Sequence, residues 1–372
     1  MIYLDNAATG WPKHPAVIRA MGEAMVRYGA NPGRSGHRMG METAEQVYRC
    51  RRLAADTFGL PDPSRVVFTP NCTGALNLAL RSLTRRGRVI ASDMEHNSVM
   101  RPLALSGRYD LARVGETEEE TVANFRRLIR RDTVAIACTH ASNAFGNLLP
   151  IRRLGALCRE QGLLFLVDAA QTAGILPIDM REMQIDLLCM PGHKGLGGPT
   201  GTGMLLCGER FTPDPLTVGG SGAASLSLEQ PEELPERLES GTLNTVGICG
   251  LAAALALAGE GHAPAAYRQE MAGLAAFYDG LRGVPGVRLY TPRPRAGAFA
   301  PVLSFNLAGK TPEQTAALLD DNGVAVRAGL HCAPAAHRHM GTLPEGTVRV
   351  SPSPRTTRAE WAKVLQIIYK IQ

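Results

Sequence analysis

The sequence predicts an α/β protein with a mostly parallel sheet covered on both faces, followed by a smaller α+β unit. Two observations carry this. Between about residues 64 and 208, short β-branched runs alternate with amphipathic helical stretches, and the runs are almost continuously apolar, as strands buried on both faces are. From about residue 265 the pattern changes to helix, strand, strand, helix and a last helix.

The elements follow in order. SRVVFTPN (64–71), RVIASDMEH (88–96), TVAIACTH (133–140), LLFLVDAAQ (163–171), IDLLCM (185–190) and GTGMLLCG (201–208) read as strands. TGALNLALRSLTRRG (73–87), TVANFRRLIRR (121–131) and IRRLGALCREQG (151–162) read as helices between them. Residues 209–245, rich in Gly, Pro, Ser and Glu, read as loops, and 246–259 as a helix. The second unit then has helices at 266–282, 311–323 and 357–371 and strands at 287–291 and 301–309. No internal repeat or low-complexity tract interrupts the 372 residues, a length that suggests two or three domains.

Composition narrows the class. A hydrophobic share of 45% and a charged share of 20% are those of a soluble globular chain. The longest apolar run, 247–259, is too short to span a bilayer and reads as a core helix. The start, MIYLDNAATGWPKHP, lacks the basic and apolar regions of a signal peptide, so the cytoplasm is expected and no membrane association is. Eight cysteines with no CxxC pair are expected to be reduced thiols. The net charge of +6 comes with scattered arginine pairs not interleaved with aromatics, which reads as solvated surface rather than a nucleic-acid stripe. No GxGxxG follows a strand, which removes a dinucleotide reading.

In a parallel sheet, ligands gather at the carboxyl ends of the strands. Asp168 stands at or past one such end, with Gln171 three residues on; the ordinary fate of such an aspartate is a turn or cap, but it also suits a protonated ring nitrogen. Lys194 follows another strand in the Gly-rich loop PGHKGLGG, beside His193, where desolvation would make it a nucleophilic amine. Only five of the 40 basic residues are lysines, and Lys13, Lys310, Lys363 and Lys370 are expected to lie in ordinary surroundings. Asn71, Cys72, Thr73 and Gly74 join strand to helix, either as a plain N-cap or as a phosphate cradle. His96, His140 and Asn143 follow two further strands. A nucleophilic lysine, a carboxylate, a phosphate cradle and a stacking imidazole together describe binding of pyridoxal 5′-phosphate (PLP).

The stretch VRAGLHCAPAAHRH (326–339) leaves three readings of Cys332 open: a metal ligand, a buried inert thiol or a nucleophile. A zinc site is poorly served, because His331 cannot easily join its neighbour Cys332 on one metal and no CxxC or HxxxH partner exists, so no metal is expected. Between Gly329 and Pro334 the chain reads as a loop, and Arg327, His331 and Arg349 would favour the thiolate. His337 and His339 are expected to be solvated.

With those residues in view, YLDNAAT, NPGRSGHRMG, MEHNS, THASNAFG, VDAAQ, PGHK, ESGTLNT and RAGLHCAP occur in this order, and the chain resembles class V aminotransferase-like PLP enzymes over nearly its full length. Within them it is most similar to the cysteine desulfurase and selenocysteine lyase group with the RxGxHCA motif. The resemblance implies fold-type I architecture: a large PLP domain (15–258) on a mostly parallel seven-stranded sheet, and a small domain from 1–14 and 259–372 that carries the cysteine loop. It implies that Lys194 is the Schiff-base lysine, Asp168 the partner of the pyridine nitrogen, Gln171 a contact of the ring phenolate and His96 the stacking imidazole that relays protons. Asn143 is implied near the substrate and ring oxygen, Cys72, Thr73 and His193 on the phosphate side, and Arg349 and Arg327 at the substrate. Thr242 is implied to reach the phosphate of the partner subunit in an obligate homodimer.

Pro191 departs from the group, which often has a phosphate-binding serine there, and Cys72 stands where a hydroxyl is common. The implied reaction converts L-cysteine to L-alanine with a persulfide on Cys332, for transfer to an acceptor protein. The alternatives are a selenocysteine lyase acting on L-selenocysteine, another class V reaction such as transamination or a lyase on a different amino acid, and a non-catalytic scaffold.

Overall fold

A computed structural model describes residues 1–33, 36–222 and 226–372. Arg34 and Ser35 of the NPGRSGHRMG stretch lie outside the described residues. The N-terminal segment gives strand β1 (Ile2–Tyr3) and helices α1 (Pro15–Arg27) and α2 (Arg38–Phe58). Strands and helices then alternate: β2 (Val66–Thr69), α3 (Cys72–Arg86), β3 (Arg88–Ser92), α4 (Asn97–Ser106), β4 (Tyr109–Ala112), α5 (Glu118–Arg127), β5 (Thr133–Thr139), α6 (Ile151–Glu160) and β6 (Leu164–Asp168). β7 (Leu187–Pro191) and β8 (Gly203–Cys207) complete a seven-stranded sheet of order β2-β8-β7-β6-β5-β3-β4.

Only β8 runs against the rest, pairing antiparallel with β2 and β7. The expected mostly parallel sheet is therefore present, and β2, β3, β5, β6 and β7 end on one side. Its two faces carry separate apolar cores, one under α2 and α6 and one under α3 and α4. The runs in β5, β6 and β7 are buried nearly throughout, which is why they carry no polar alternation. The four-residue edge strand β4 was not legible, since YDLA has one aromatic, no β-branched residue and no apolar run.

Among the described residues no regular element follows β8 until α7 (Thr245–Leu257), the apolar stretch read as a core helix; it packs against α1 and α2. Among the described residues no helix is long and apolar enough to cross a membrane. α8 (Ala263–Leu281), β9 (Val287–Leu289), β10 (Leu303–Leu307), α9 (Pro312–Asp321), β11 (Val324–Ala325), β12 (Arg327–Gly329), α10 (Pro334–His339), β13 (Thr347–Val350) and α11 (Arg358–Ile371) follow. Reciprocal capping boxes at Thr311–Gln314 and Thr357–Glu360 start α9 and α11.

A four-stranded antiparallel sheet of order β12-β13-β10-β9 shares a third apolar core with α8, α9 and α11. Ile2 and Leu4 of the N-terminal segment belong to that core, because β1 pairs parallel with β11. The short strands β11, β12 and β13 were missed in the sequence because each spans only two to four residues.

Candidate active site

Each turn at the sheet's carboxyl edge is built by local chemistry. At the end of β2, Asn71 caps α3, its Oδ1 accepting from the Gly74 N–H at 2.9 Å. This turn lies against Gly203, where a Cβ would stand 2.5 Å from the Asn71 carbonyl carbon, so only glycine fits. After β3, His96 caps α4: its Nδ1 accepts from the Ser98 N–H at 3.0 Å. That bond leaves the neutral ring with its proton on Nε2. Asp168 is the last residue of β6 and Lys194 lies three residues past β7.

One cavity collects these residues. Cys72, Thr73, His96, Asn143, Asp168, Gln171, His193 and Lys194 line it, with Asn71, Ser98, Thr139 and Pro191. Lys194 is half-buried in it, and desolvation first, then the nearby Arg349 charge, lowers its pKa below the ordinary lysine value. Burial raises the pKa of Asp168, against the Ala170 N–H that it accepts at 2.9 Å. The Cys72 thiol sits 3.6 Å from the same Asp168 oxygen, and among the described residues Oδ2 receives no bond. His96 is pushed down to about 4 by burial and by Lys194, so its ring is neutral at physiological pH. Thr73 Oγ1 and Ser98 Oγ lie 2.8 Å apart in the same lining. Gln171 donates to the Ala7 carbonyl at 3.1 Å. A buried carboxylate, a capped helix N-terminus with a hydroxyl and an imidazole, all lining one cavity, complement a flat, anionic ligand with a basic ring nitrogen.

Cys332 stands on a turn bonded to the cavity's walls. It is exposed, while the other seven cysteines are buried and all eight are free. Its turn joins β12 to α10, and the Cys332 carbonyl accepts from the Asn97 N–H at 2.7 Å, next to His96. Asn143 Nδ2 donates to the His331 carbonyl at 2.7 Å. The cysteine turn is thus tied to two of the turns that line the cavity.

Arg349, on β13, is buried and donates to the Asn143 carbonyl at 2.9 Å and to Asp5 at 2.7 Å. Its Nε has no partner among the described residues. Arg327 stands across from it on β12, exposed. Thr242 is not brought to this cavity; it is exposed and lines a separate cleft beside the buried Arg51–Glu239 pair.

Two expectations need correction. Lys13 is not in ordinary surroundings: its Nζ donates to the His193 carbonyl at 2.7 Å, and burial lowers its pKa to about 8. The cause is tertiary, since the N-terminal segment crosses the Lys194 loop and Gly10 N–H also bonds to His193 O at 2.9 Å. His337 and His339 are not solvated. His337 is fully buried beneath the cysteine turn, and His339 pairs with Asp93 at 2.7 Å. Sequence reasoning also missed Asp5, whose role rests on a contact across the whole chain, and Ser98, for which the capping spacing His-x-Ser was a usable signal.

The family model "Aminotransferase class-V" matches residues 2–364. Similar curated relatives are named probable cysteine desulfurase in Methanothermobacter thermautotrophicus, 32% identical over 94% of this chain and 89% of that one, and cysteine desulfurase in Klebsiella pneumoniae, 32% identical over 90% and 84%. The apo structure of a cysteine desulfurase from Thermococcus onnurineus superposes with a TM-score of 0.91 at 32% identity, covering 100% of this chain and 94% of that one. A fold, a strand-end site and a match over nearly the whole length agree, and the chain belongs to the class V aminotransferase family.

Proposed function

We propose that the protein is a PLP-dependent cysteine desulfurase that converts L-cysteine to L-alanine and leaves the sulfur as a persulfide on Cys332. The observation that carries this is the placement of one exposed thiol on a turn bonded to Asn97 and Asn143, whose turns line the cavity that holds the half-buried Lys194. Its relatives' names point the same way.

The residues fit the cofactor. Asp168 is a buried carboxylate that, among the described residues, has a free oxygen and no cation bonded to it, an arrangement that a protonated ring nitrogen would stabilise. The N–H groups at the N-terminus of α3, with the Thr73 hydroxyl, and His193 suit the phosphate, while the Cys72 thiol lies toward Asp168 and Pro191 contributes neither a hydroxyl nor an N–H. When bound, PLP supplies a carbonyl for amines and a sink for the electrons of the substrate Cα.

The chain's own groups do the rest. Lys194, whose amine desolvation makes easier to deprotonate, takes the Cα proton. Arg349 holds the substrate carboxylate through donors not used by Asp5 and Asn143, with Arg327 adding charge. His96 presents Nε2–H as a donor, because its Nδ1 is engaged in the helix cap. The Cys332 thiolate attacks the substrate Sγ; the S–S bond forms, the Cβ–Sγ bond breaks, and Cβ gains the proton that completes alanine. The reaction is redox-balanced: the sulfur is passed on as sulfane sulfur and the alanine carbon is reduced. A reducing agent or an acceptor protein must then remove it to restore the thiol.

The proposal extends to assembly. Residues 1–14 and 259–372 would form the small domain, supported by the core that Ile2 and Leu4 share with α8 and α11. A second copy would cover Met25, Val26, Met39 and Tyr48, exposed apolar residues on α1 and α2 near Thr242's cleft, and bring Thr242 to the partner's phosphate. Eight unpaired thiols support a reducing, cytoplasmic setting. The deciding experiment measures alanine and sulfide from L-cysteine under reducing conditions. Wild type should turn over, and Cys332→Ala should keep its cofactor and stall; equal rates would sink the persulfide step.

A further inference from the structure

Of the two histidines left without a role in the sequence, His337 lies under the cysteine turn and completes a chain of side chains. His331 and Cys332 both have left-handed backbone, with φ of 50° and 57°. Two successive non-glycine residues in that region are strained and persist only where the surroundings hold them. What holds them is buried. His331 Nε2 lies 3.3 Å from the Arg327 carbonyl, His331 Nδ1 lies 3.4 Å from His337 Nε2, and His337 Nδ1 lies 2.7 Å from Thr342 Oγ1. The two rings are near parallel, and Phe145 packs edge-on against His337 at 5.1 Å between centroids.

The chain has one consistent direction when both rings are neutral. The Arg327 carbonyl only accepts, so His331 must carry its proton on Nε2. His331 Nδ1 then accepts, which requires His337 to donate from Nε2 and to accept at Nδ1 from the Thr342 hydroxyl. The opposite direction, with the Thr342 hydroxyl turned to the His337 carbonyl at 3.2 Å, would set a bare His331 Nε2 against the Arg327 carbonyl oxygen. Burial keeps both rings neutral, lowering His331 to about 2 and His337 to about 4.

We infer that His337 and Thr342 are positioning residues for the Cys332 nucleophile, acting through His331 by fixing its tautomer and ring orientation and so holding the strained turn against the cavity's walls. The inference rests on Cys332 being the persulfide carrier. None of the three residues needs to touch the substrate.

The test uses the holoenzyme and three readouts. Imidazole 15N spectra should show His331 and His337 protonated at Nε2 and bare at Nδ1; a His331 protonated at Nδ1 overturns the inference. Thr342→Val, which preserves shape, and His337→Phe should lower kcat/KM for L-cysteine about tenfold or more, as loss of position does. Thr342→Ser and His337→Gln, which keep the donors, should restore it. Iodoacetamide reaches Cys332 without needing the cavity, so its rate at fixed pH should change less than about twofold in Thr342→Val, in contrast to the tenfold turnover loss. A wild-type turnover in Thr342→Val, or an alkylation rate that falls together with turnover, overturns it. If Cys332→Ala were active, the persulfide reading would fail while the 15N result still stood by itself.

Discussion

Asp5 and Arg349 are 344 residues apart in the chain and meet at 2.7 Å, the carboxylate on the segment after β1 and the guanidinium on β13. Arg349 is almost fully buried, so Asp5 balances a charge that would otherwise stand uncompensated in the interior. The pair ties the first strand to the last and aims the group proposed to hold the substrate carboxylate.

Removing either side should have separable effects. Asp5→Asn should lower thermal stability, by about 2–3 kcal/mol in denaturant titration, since it strands a buried cation. Arg349→Lys should raise KM for L-cysteine at least about tenfold, because an ammonium cannot keep Asp5, the Asn143 carbonyl and a carboxylate in one plane. Steady-state kinetics on the folded variant checks this, and an unchanged KM would remove Arg349 from the substrate.

Thiol counting tests the burial pattern. Under native conditions iodoacetamide should label one cysteine per chain, at Cys332, and all eight after denaturation, read by intact mass and peptide mapping. Rapid native labelling of a second site would contradict the packing of the sheet and α7.

Glu95 gives a pH signature. It is wholly buried beside the site, bonded to the Ser92 hydroxyl and to the Thr139 N–H at 2.8 Å, and burial raises its pKa to about 8. Between the unfolded value and about 8 the native state holds a proton that the unfolded state releases. Its stabilising contribution is therefore complete at low pH and is lost as pH rises through that window, at about 1.4 kcal/mol per pH unit. Glu95→Gln keeps the bonds and should remove this slope. Buried His96 and His140, both lowered to about 4, slope the other way below pH 6.5, so the quantity to compare is variant minus wild type across pH 6 to 8.

The Arg51–Glu239 pair should act on the segment that bears Thr242. Arg51 donates to both Glu239 oxygens and lies over the Phe68 ring at 4.5 Å, and Glu239 also accepts from the Phe68 N–H. Glu239→Ala should cost about 3–5 kcal/mol, because it leaves the buried Arg51 without its counter-charge. Calorimetry would show the loss, and sedimentation should show a weaker dimer if this segment bridges subunits.

The core of the fold was legible because its signals are local. Apolar strands such as LFLVD and LLCMP identify themselves by composition, and the turn residues that follow them carry Asp168, Lys194, His96 and Asn143 to one edge. The direction of a parallel sheet alone requires that edge to be shared. The edge strand β4 and the short strands β11 to β13 were not legible, because two to four residues carry too little pattern and their pairing depends on distant partners.

By itself, then, the sequence determined the α/β class, the strand-end residues and the motif around Cys332. Only tertiary structure decided that Asp5 holds Arg349, that Lys13 reaches the Lys194 loop, and that His337 is a buried partner of His331 rather than a solvated side chain. The physical reason is range. Periodicity and turn chemistry act over a few neighbouring residues, whereas a buried charge or imidazole is defined by the partner that compensates it, and here those partners come from the opposite end of the chain or from a turn that only packing brings underneath.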